Sequence, residues 1–386
     1  MSPRPAPPVP PGPSVVSPHD AVPATFLAAL RATGVLRTAA VVRAFATVPR
    51  HRCVTGFFTG LGKQGGGSYV EVPQQDAVPP GLLEAVYADH PLITHVSPDG
   101  RPTSSSSTPS LMARMLEAMC PEPGMNVLEI GAGTGYNAAL LSILTAPHGT
   151  VTSVDTQPEV VAGALAALRR LDLDRPGISV RLADGWAGHP AETPYDRVIA
   201  TVGVAGVSPR WVDQLAPNGL VVVPVRHGGA HPVLAVNRAP DGELMGRGVV
   251  WTDFIRAEGK LADAPWPLSW PDPHALTSEG WHTGIIPELD DDGYRDLWFS
   301  LACLDSRVVR TSYDPAIGCG LADPQLGLLR LGRDAVHRIG DQRLVDELRR
   351  RLDRWEDLGR PGPADWSCQL TAAGSVLVPS QWRCVR

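Results

Sequence analysis

A glycine-rich turn carries the strongest chemical signal in the chain. The segment Glu129-Ile130-Gly131-Ala132-Gly133-Thr134-Gly135-Tyr136 directly follows an apolar, strand-like run and opens a helical pattern. Glycines at such a corner let the backbone turn tightly and approach a ligand where a side chain would collide. The spacing is G-x-G-x-G and not the G-x-G-x-x-G of dinucleotide folds, so a phosphate cradle is not the best match.

Acidic residues end the next two predicted strands. Asp155 follows the strand pattern at 151–154, and Asp184-Gly185 follows the pattern at 179–182. The first carboxylate is placed to accept hydrogen bonds from a ribose diol, and the second to accept one from an adenine amino group. A glycine turn alone is a weak signal, but a glycine turn with two strand-end acids predicts a site for a nucleoside-bearing ligand.

A run of hydroxyl side chains, Ser104 to Ser107, precedes a predicted helix. Thr108 followed by Pro109 is a typical N-cap and first helical position. The free N–H groups and the positive dipole end of a helix favour a carboxylate. Taken alone, the run also fits a flexible polar linker. Three nearby histidines could contact a substrate or occupy ordinary core or solvated positions: His51, His90 and His95.

The elements that must position these residues alternate between strand-like and helical runs. Strands are expected at 127–130, 151–154, 179–182, 197–202 and 220–225, with helices between them. This alternation predicts an α/β fold, with a parallel sheet covered by helices on both faces. Two short helices are expected between Ala24 and Phe45, and one helix from about Asp341 to Leu358.

These patterns divide the chain into four parts. Residues 1–23 contain nine prolines and are predicted to be a disordered tail. Residues 24–103 are predicted to form the N-terminal helices and a substrate-side region, with a mobile Gly- and Pro-rich loop at 56–81. Residues 104–250 are the predicted sheet domain. Residues 251–386 hold eight of the ten tryptophans and are predicted to form a separate accessory module.

Composition excludes several classes of protein. The chain has 386 residues, 43% of them hydrophobic, which is enough for a sizeable core. A formal net charge of −6 argues against a general polyanion binder. No apolar run approaches the length of a membrane-spanning helix, and the N-terminus does not resemble a signal peptide. The six cysteines form no C-x-x-C pair, so we expect no metal site, reduced thiols and a cytoplasmic protein.

Over about residues 24–235 the chain resembles the S-adenosylmethionine-dependent methyltransferases, and more narrowly the protein-L-isoaspartate O-methyltransferase family. The residues that carry this resemblance are Val48-Pro49-Arg50, Ser107-Thr108-Pro109, Leu128 to Tyr136, Ala183-Asp184-Gly185, Tyr195 to Ile199, Thr201, Gln214 to Gly219 and Val223 to Val225. The resemblance implies a Rossmann-like class I methyltransferase fold with a mainly parallel sheet, and S-adenosyl-L-methionine as the cofactor.

The resemblance also implies roles for individual residues. Ser107 matches the active-site serine of the family, and Thr108 and Thr201 fall where substrate contacts are expected. The implied cofactor contacts are Ser104, Ser105, Ser106, Glu129, Gly131, Gly133, Gly135, Tyr136, Asp155, Thr156, Asp184 and Gly185. The chemistry agrees, because a carboxylate is already ionised at neutral pH and needs in-line placement beside the methyl donor rather than a general base.

The chain departs from the ordinary repair enzymes of this family in its long C-terminal extension. It also has Ser110 where members often place histidine. Members with such extensions resemble enzymes that modify ribosomally made peptides, in which an esterified aspartate cyclises to an aspartimide. We therefore expect a peptide or protein substrate bearing Asp or isoAsp, with residues 251–386 binding the peptide.

Other functions remain open from the sequence. The first is L-isoaspartyl repair of damaged proteins, and the second is methylation of a small-molecule carboxylate. A third, from another class, is a noncatalytic peptide-binding protein with a relic cofactor fold. Nucleic acid methylation is disfavoured because Thr201-Val202-Gly203 stands where an Asn-Pro-Pro-Tyr-like element would be expected. Neither a nucleic acid nor a membrane is an expected partner.

Overall fold

The N-terminal part contains helices and a small antiparallel sheet. The computed structural model describes residues 21–61, 67–262, 279–311 and 318–386, so all but the last three residues of the predicted tail lie outside the described residues. The elements are α1 (Ala24–Ala32), α2 (Ala39–Thr47), β1 (Gly56–Thr59), β2 (Ser68–Glu71), α3 (Pro80–Tyr87), β3 (Leu92–Val96) and β4 (Pro102–Ser106). The four strands pair in the order β2-β1-β3-β4, and the two predicted helices are confirmed.

The prediction of a mobile loop at 56–81 is wrong for the segments that form β1 and β2. These strands pair antiparallel, and Phe57 is buried between the strands and the N-terminal core. Phe58 and Tyr69 make an edge-to-face contact with their ring centroids 5.0 Å apart. The aromatic residues therefore outweigh the glycines and prolines around them, because cross-strand aromatic pairs stabilise a sheet.

The central part alternates between strands and helices, as predicted. Its elements are α4 (Pro109–Met119), β5 (Asn126–Ile130), α5 (Tyr136–Leu144), β6 (Thr150–Asp155), α6 (Pro158–Arg170), β7 (Ile178–Leu182), β8 (Tyr195–Ala200), α7 (Pro209–Asp213), β9 (Leu215–Pro224), β10 (Val233–Arg238) and β11 (Leu244–Val250). Neighbouring residues of one strand pack into different cores. Val127 joins the core that contains α2, α4, α5 and α6, whereas Leu128 joins the core that contains α7.

The C-terminal part adds a second antiparallel sheet. Its elements are β12 (Glu279–Thr283), α8 (Asp291–Leu304), β13 (Val308–Arg310), β14 (Cys319–Asp323), β15 (Gly327–Leu331), β16 (Ala335–Gly340), α9 (Arg343–Asp357), β17 (Trp366–Ala373) and β18 (Val376–Cys384). Five strands pair in the order β12-β16-β15-β14-β13. Helices α8 and α9 share a core with this sheet. Helix α9 matches the predicted helix, whereas α8 was not predicted.

The main sheet has nine strands in the order β18-β17-β11-β10-β9-β8-β5-β6-β7. The five strands from β9 to β7 are parallel, which confirms the predicted parallel sheet. The other four extend it through antiparallel pairs. Strand order reverses between β5 and β8, and ligands of parallel α/β sheets bind at the carboxyl ends of the strands at such a point.

The predicted boundary at residue 250 does not separate the sheet from the C-terminal part. Strand β17 pairs antiparallel with β11, with Met245 opposite Gln369. Trp366 and Cys368 of β17 lie in the same core as Leu234 of β10. Without β17 and β18, the outer edge of β11 would expose its backbone N–H and C=O groups, so the last strands of the chain complete the sheet.

The tryptophans of the C-terminal part mostly build its cores. Trp298, Trp355 and Trp366 are buried. Trp281 is 70% exposed and stacks on His337, with ring centroids 4.4 Å apart. Trp251 and Trp382 are half-buried and pack against a core, whereas Trp266 and Trp270 lie outside the described residues.

Three chemical properties concern the described residues taken together. None of the helices in the described ranges combines the length and apolar character needed to cross a bilayer. Within the same ranges, no group of three or more His, Cys, Asp or Glu side chains is placed to hold a metal ion. All six cysteines are free thiols.

A buried glutamate joins three elements below the glycine turn. Glu129, at the end of β5, accepts hydrogen bonds from the Asn137 amide of α5 at 2.7 Å and from the Ser153 hydroxyl of β6 at 2.5 Å. Burial raises the pKa of the Glu129 carboxyl to about 7, although both hydrogen bonds favour the ionised form. The side chain therefore joins these elements at a cost in desolvation that appears when the carboxyl ionises.

Substituting Glu129→Gln tests this cost. Because the pKa of Glu129 is higher in the folded than in the unfolded chain, its contribution to stability is present below the unfolded pKa of 4.5 and is lost as pH rises through about 7. The unfolding free energies of parent and variant are measured by urea titration between about pH 5 and about pH 8. Over this range we expect the value for the parent to change by up to about 3 kcal/mol more than the value for the variant. Glu356→Gln, on the exposed face of α9, is the control, and parallel pH profiles of parent and Glu129→Gln would contradict the assignment.

Candidate active site

The glycine turn lies where strand order reverses, between the carboxyl ends of β5 and β8. Gly131 has a φ of +95°, and a Cβ atom there would lie 2.9 Å from the Thr201 hydroxyl at the end of β8. A Cβ atom on Gly133 would lie 2.9 Å from the carbonyl oxygen of Ser105. The turn therefore requires glycine at both positions, and it brings the serine run close to the sheet.

The serine run forms the edge strand β4 and continues to Ser107. Ser104 and Ser106 are buried, whereas Ser105 and Ser107 are half-buried. The Gln157 amide, just after β6, donates to the carbonyl oxygen of Thr103 at 3.1 Å. Strand β4 thus lies against the carboxyl ends of the parallel strands and forms one wall of the cleft that opens there.

Asp155 is the acid at the end of β6, as predicted. Its Oδ2 accepts from the backbone N–H groups of Ala132 at 3.0 Å and Gly133 at 3.4 Å, and its Oδ1 accepts from the N–H of Gln157 at 3.1 Å. A carboxylate offers about four acceptor positions, so Asp155 can hold the turn and still accept further hydrogen bonds.

Asp184 and Thr201 also hold backbone in place. The exposed Asp184 accepts from the N–H of Trp186 at 2.9 Å. A Cβ atom on the adjacent Gly185 would lie 2.6 Å from a methyl group of Ile130. The Thr201 hydroxyl donates to the carbonyl oxygen of Gly131 at 2.6 Å. The proton of this hydroxyl is therefore used within the turn.

The structure brings nearly all predicted site residues into one cleft, which we call the first cleft. It holds about 1100 Å³ of empty space, including the part open to solvent. Gly135 lies behind it, at the start of α5, and Thr108 lines a different cleft. The predicted residues that line the first cleft are Ser104, Ser105, Ser106, Ser107, Glu129, Gly131, Gly133, Tyr136, Asp155, Thr156, Asp184, Gly185 and Thr201.

A segment that the sequence analysis missed forms another wall of the first cleft. We call residues 254–261 the strap. The N–H of Gly203 donates to the carbonyl oxygen of Ile255, and the N–H of Ala257 donates to that of Gly203, both at 2.8 Å. Leu261 is buried against Gly185. The amino-acid types in the strap do not indicate that it lines a ligand site, because its position depends on backbone pairing with Gly203.

A buried arginine fixes the position of Ser107. The side chain of Arg50 is fully buried and donates to backbone carbonyl oxygens from two separate segments, including that of Ser107 at 2.9 Å. Burial lowers its pKa to about 10, so it stays positively charged at neutral pH. The carbonyl acceptors are those of Val86, Ala88, His90, Ser106 and Ser107.

The start of α4 differs in one respect from the prediction. Thr108 precedes the helix, but its side chain makes no capping hydrogen bond. The first N–H of the helix, that of Ser110, donates instead to Asp89 at 2.8 Å. The helix terminus predicted to hold a substrate carboxylate therefore already contacts a carboxylate of the chain.

A second cleft opens on the other side of Ser107 and Thr108. It holds about 2130 Å³ of empty space, including the part open to solvent. Thr108, Ser110 and Arg114 of the α4 region line it, together with residues of α8 and of the segment that precedes β17. The methyltransferase part and the C-terminal part thus form this cleft together.

The three candidate histidines line neither cleft. His51 is buried, and its Nδ1 lies 2.9 Å from the Tyr87 hydroxyl. His95 is half-buried beside Thr94, and His90 is exposed. Of the two alternatives left open by the sequence, these positions favour ordinary core or solvated histidines, and His51 is a core residue.

The first cleft fits S-adenosylmethionine by its size and its chemistry. The glycine turn leaves space that side chains would fill, and two strand-end carboxylates suit a ribose and an adenine amino group. Among the described residues, the Tyr136 hydroxyl and the Asn137 Oδ1 are buried in the wall of this cleft without a hydrogen-bond partner. Such unsatisfied buried groups are expected at a ligand site.

The chain is similar to known methyltransferases. A sequence model described as Protein-L-isoaspartate(D-aspartate) O-methyltransferase matches residues 67–262. A Protein-L-isoaspartate O-methyltransferase of Methanopyrus kandleri is 36% identical over 193 residues, which cover 49% of this chain and 82% of the relative. One of Anaeromyxobacter dehalogenans is 39% identical over 173 residues, which cover 45% and 78%.

A solved structure named protein-L-isoaspartate O-methyltransferase covers 92% of this chain and 99% of its own, with 26% identity and a TM-score of 0.52. This chain is longer than the two curated relatives, as expected for a C-terminal extension, and it shares its long C-terminal part with this solved structure. The family match also ends at residue 262 and so includes the strap. The chain belongs to the protein-L-isoaspartate(D-aspartate) O-methyltransferase family and is an enzyme with the class I fold that uses S-adenosyl-L-methionine as its cofactor.

Proposed function

We propose that this enzyme esterifies the side-chain carboxyl of an aspartate in a ribosomally made precursor peptide, and that the ester then closes to an aspartimide. The observation that carries the proposal is the position of Ser107 and Thr108. Ser107 lines the first cleft, and Thr108, the next residue, lines the second. In this proposal an acceptor carboxyl enters through the second cleft and reaches the first cleft at Ser107.

The methyl transfer requires the protein mainly to place the acceptor carboxylate beside the methyl group. When bound, the cofactor supplies a methyl group on a positively charged sulfur, which leaves as a neutral thioether. The acceptor carboxylate needs no general base, so the Ser107 hydroxyl serves to hold and aim a carboxylate oxygen. Arg50 keeps the backbone of Ser107 in place from below.

The second step follows from the ester. The amide nitrogen of the next residue of the peptide attacks the ester carbonyl, a C–N bond forms, and methanol leaves with the amide proton. This step needs no oxidant or further cofactor. It does need a substrate in which another residue follows the aspartate. The second cleft, between the α4 region and the C-terminal part, has room for such a chain.

Repair of L-isoaspartyl proteins is a second candidate function. It is favoured by the solved isoaspartate methyltransferase that covers 92% of this chain, because a similar C-terminal part exists in a protein with that name. The same arrangement of Ser107 between two clefts serves an isoaspartyl carboxyl equally well, so the two functions differ only in the acceptor residue.

Matched acceptors separate the two functions. The full-length enzyme is incubated with S-adenosylmethionine and with pairs of peptides that differ only in Asp or isoAsp, including peptides encoded next to its gene. A mass gain of one methylene marks the ester, and a net loss of one water marks the imide. We expect both on an Asp peptide, whereas modification of isoAsp peptides alone would show repair. A protein that binds S-adenosylhomocysteine but modifies neither kind would be a noncatalytic binder.

Substituting Asp155→Ala tests the ribose contact. Hydrogen bonds to an ionised group are stronger than neutral ones, so we expect the Kd for S-adenosylhomocysteine, measured by calorimetry, to rise by about tenfold or more. Asp174→Ala, which removes an exposed partner of Arg169, is the control. An unchanged Kd in Asp155→Ala would refute the assignment.

Substituting Ser107→Ala separates turnover from cofactor binding. Because the hydroxyl is proposed to aim the acceptor, we expect kcat to fall by about tenfold or more, while the Kd for S-adenosylhomocysteine stays within about twofold. Ser380→Ala on β18 is the control, measured in the same methylation assay. Equal turnover in Ser107→Ala and the parent would remove Ser107 from the proposed active site.

A further inference from the structure

Most charged side chains that line the second cleft are already engaged. Of nine such residues, six form ion pairs with one another, and the carboxylate of Asp89 accepts from the N–H of Ser110. The ion pairs are Arg295 with Asp292 at 3.1 Å, Arg310 with Asp253 at 2.8 Å and Arg386 with Asp365 at 3.0 Å. Two charges remain, those of Arg114 and Asp296.

Arg114 is the cation that remains on the α4 side. It lies one helical turn after Ser110, so both residues occupy the same face of the helix. The side chain is exposed, and the described residues offer it neither a hydrogen bond nor an ion pair. A guanidinium on the wall of this cleft is placed to bind an anionic group in paired, planar geometry.

Asp296 is the anion that remains, on α8. It is half-buried, and a Cβ atom on Gly362 would lie 2.9 Å from its carboxylate. Burial, followed by the neighbouring carboxylates of Asp292, Asp365 and Asp290, raises the pKa of Asp296 to about 6, because Arg386, which is paired with Asp365, offsets this only in part. A cation bound at this point would relieve that repulsion.

We infer that the second cleft selects its substrate polypeptide by charge, with Arg114 binding an acidic side chain close to the acceptor and Asp296 binding a basic side chain farther along. This inference rests on the proposed function, because it takes the occupant of the second cleft to be the substrate chain. Because the other charged side chains of the cleft are already engaged, a charge on the peptide should change its affinity mainly at Arg114 and Asp296. A peptide that carries both signs fits both positions.

Peptide binding tests the inference separately from turnover. Labelled peptides with one Asp acceptor carry a Glu, Gln or Lys that is moved through the flanking positions, and their affinity for enzyme loaded with S-adenosylhomocysteine is measured by fluorescence anisotropy. We expect one flanking position to favour Glu and another to favour Lys. The preferences should be roughly fivefold, the upper end for an exposed ion pair, and should weaken at high salt.

Charge substitutions assign each preference to its residue. Arg114→Gln should remove the preference for Glu, and Arg114→Glu should turn it into a preference for Lys at the same position. Asp296→Asn should remove the preference for Lys at the other position. Arg43→Gln, an exposed arginine of α2 outside both clefts, is the control and should change neither.

Two outcomes would overturn the inference. Equal affinity of the parent for Glu, Gln and Lys peptides at every position would show that the cleft does not respond to charge. Preferences that persist in Arg114→Gln and Asp296→Asn would place the selection elsewhere. Failure to methylate any peptide that binds with these preferences would count against the proposed function and leave the charge selection standing.

Discussion

The position of Ser107 depends on one buried guanidinium. Arg50 lies after α2, and its side chain joins the segment that follows α3 to the segment that follows β4 by donating to their carbonyl oxygens. Burial of this charge is costly, and it is offset by five backbone carbonyl oxygens and the Ser106 hydroxyl that accept from Arg50. The interaction is therefore sensitive to the position of each segment. Ser107 lines the first cleft and Thr108 lines the second, so the shape of both clefts here depends on the N-terminal part of the chain.

The first cleft also depends on the C-terminal part of the chain. The strap forms one wall, and its pairing with Gly203 holds it over the carboxyl ends of the parallel strands. The hairpin of β17 and β18 completes the sheet, and its turn contacts the rim, where the Trp186 indole donates to the carbonyl oxygen of Ser375 at 2.9 Å. A truncation at residue 250 would remove the strap and two strands of the main sheet. The C-terminal part is thus structural as well as a wall of the second cleft.

The sequence predicts the parts of the site that are local in the chain. The G-x-G-x-G turn, Asp155 and Asp184 each follow a strand, and the shared carboxyl edge of parallel strands brings them together without any knowledge of packing. The strap and the Asp89 contact with Ser110 could not be predicted this way, because each depends on pairing between distant segments. The prediction of a loop at 56–81 is wrong for a different reason. It gave more weight to the glycine and proline content than to the cross-strand aromatic pair that stabilises β1 and β2.

The contact between Asp89 and Ser110 changes how an acceptor carboxylate can be held. Pro109 has no N–H, and the first N–H of α4 already donates to Asp89, so the start of the helix offers the acceptor less than the sequence suggests. A second carboxylate beside Asp89 would also meet like charge. The positive charge of Arg50, directly behind the Ser107 carbonyl and shielded from water, opposes that repulsion. In the proposed reaction the Ser107 hydroxyl therefore holds the acceptor in the field of Arg50, and the proposed substrate chain supplies the rest of the binding energy in the second cleft.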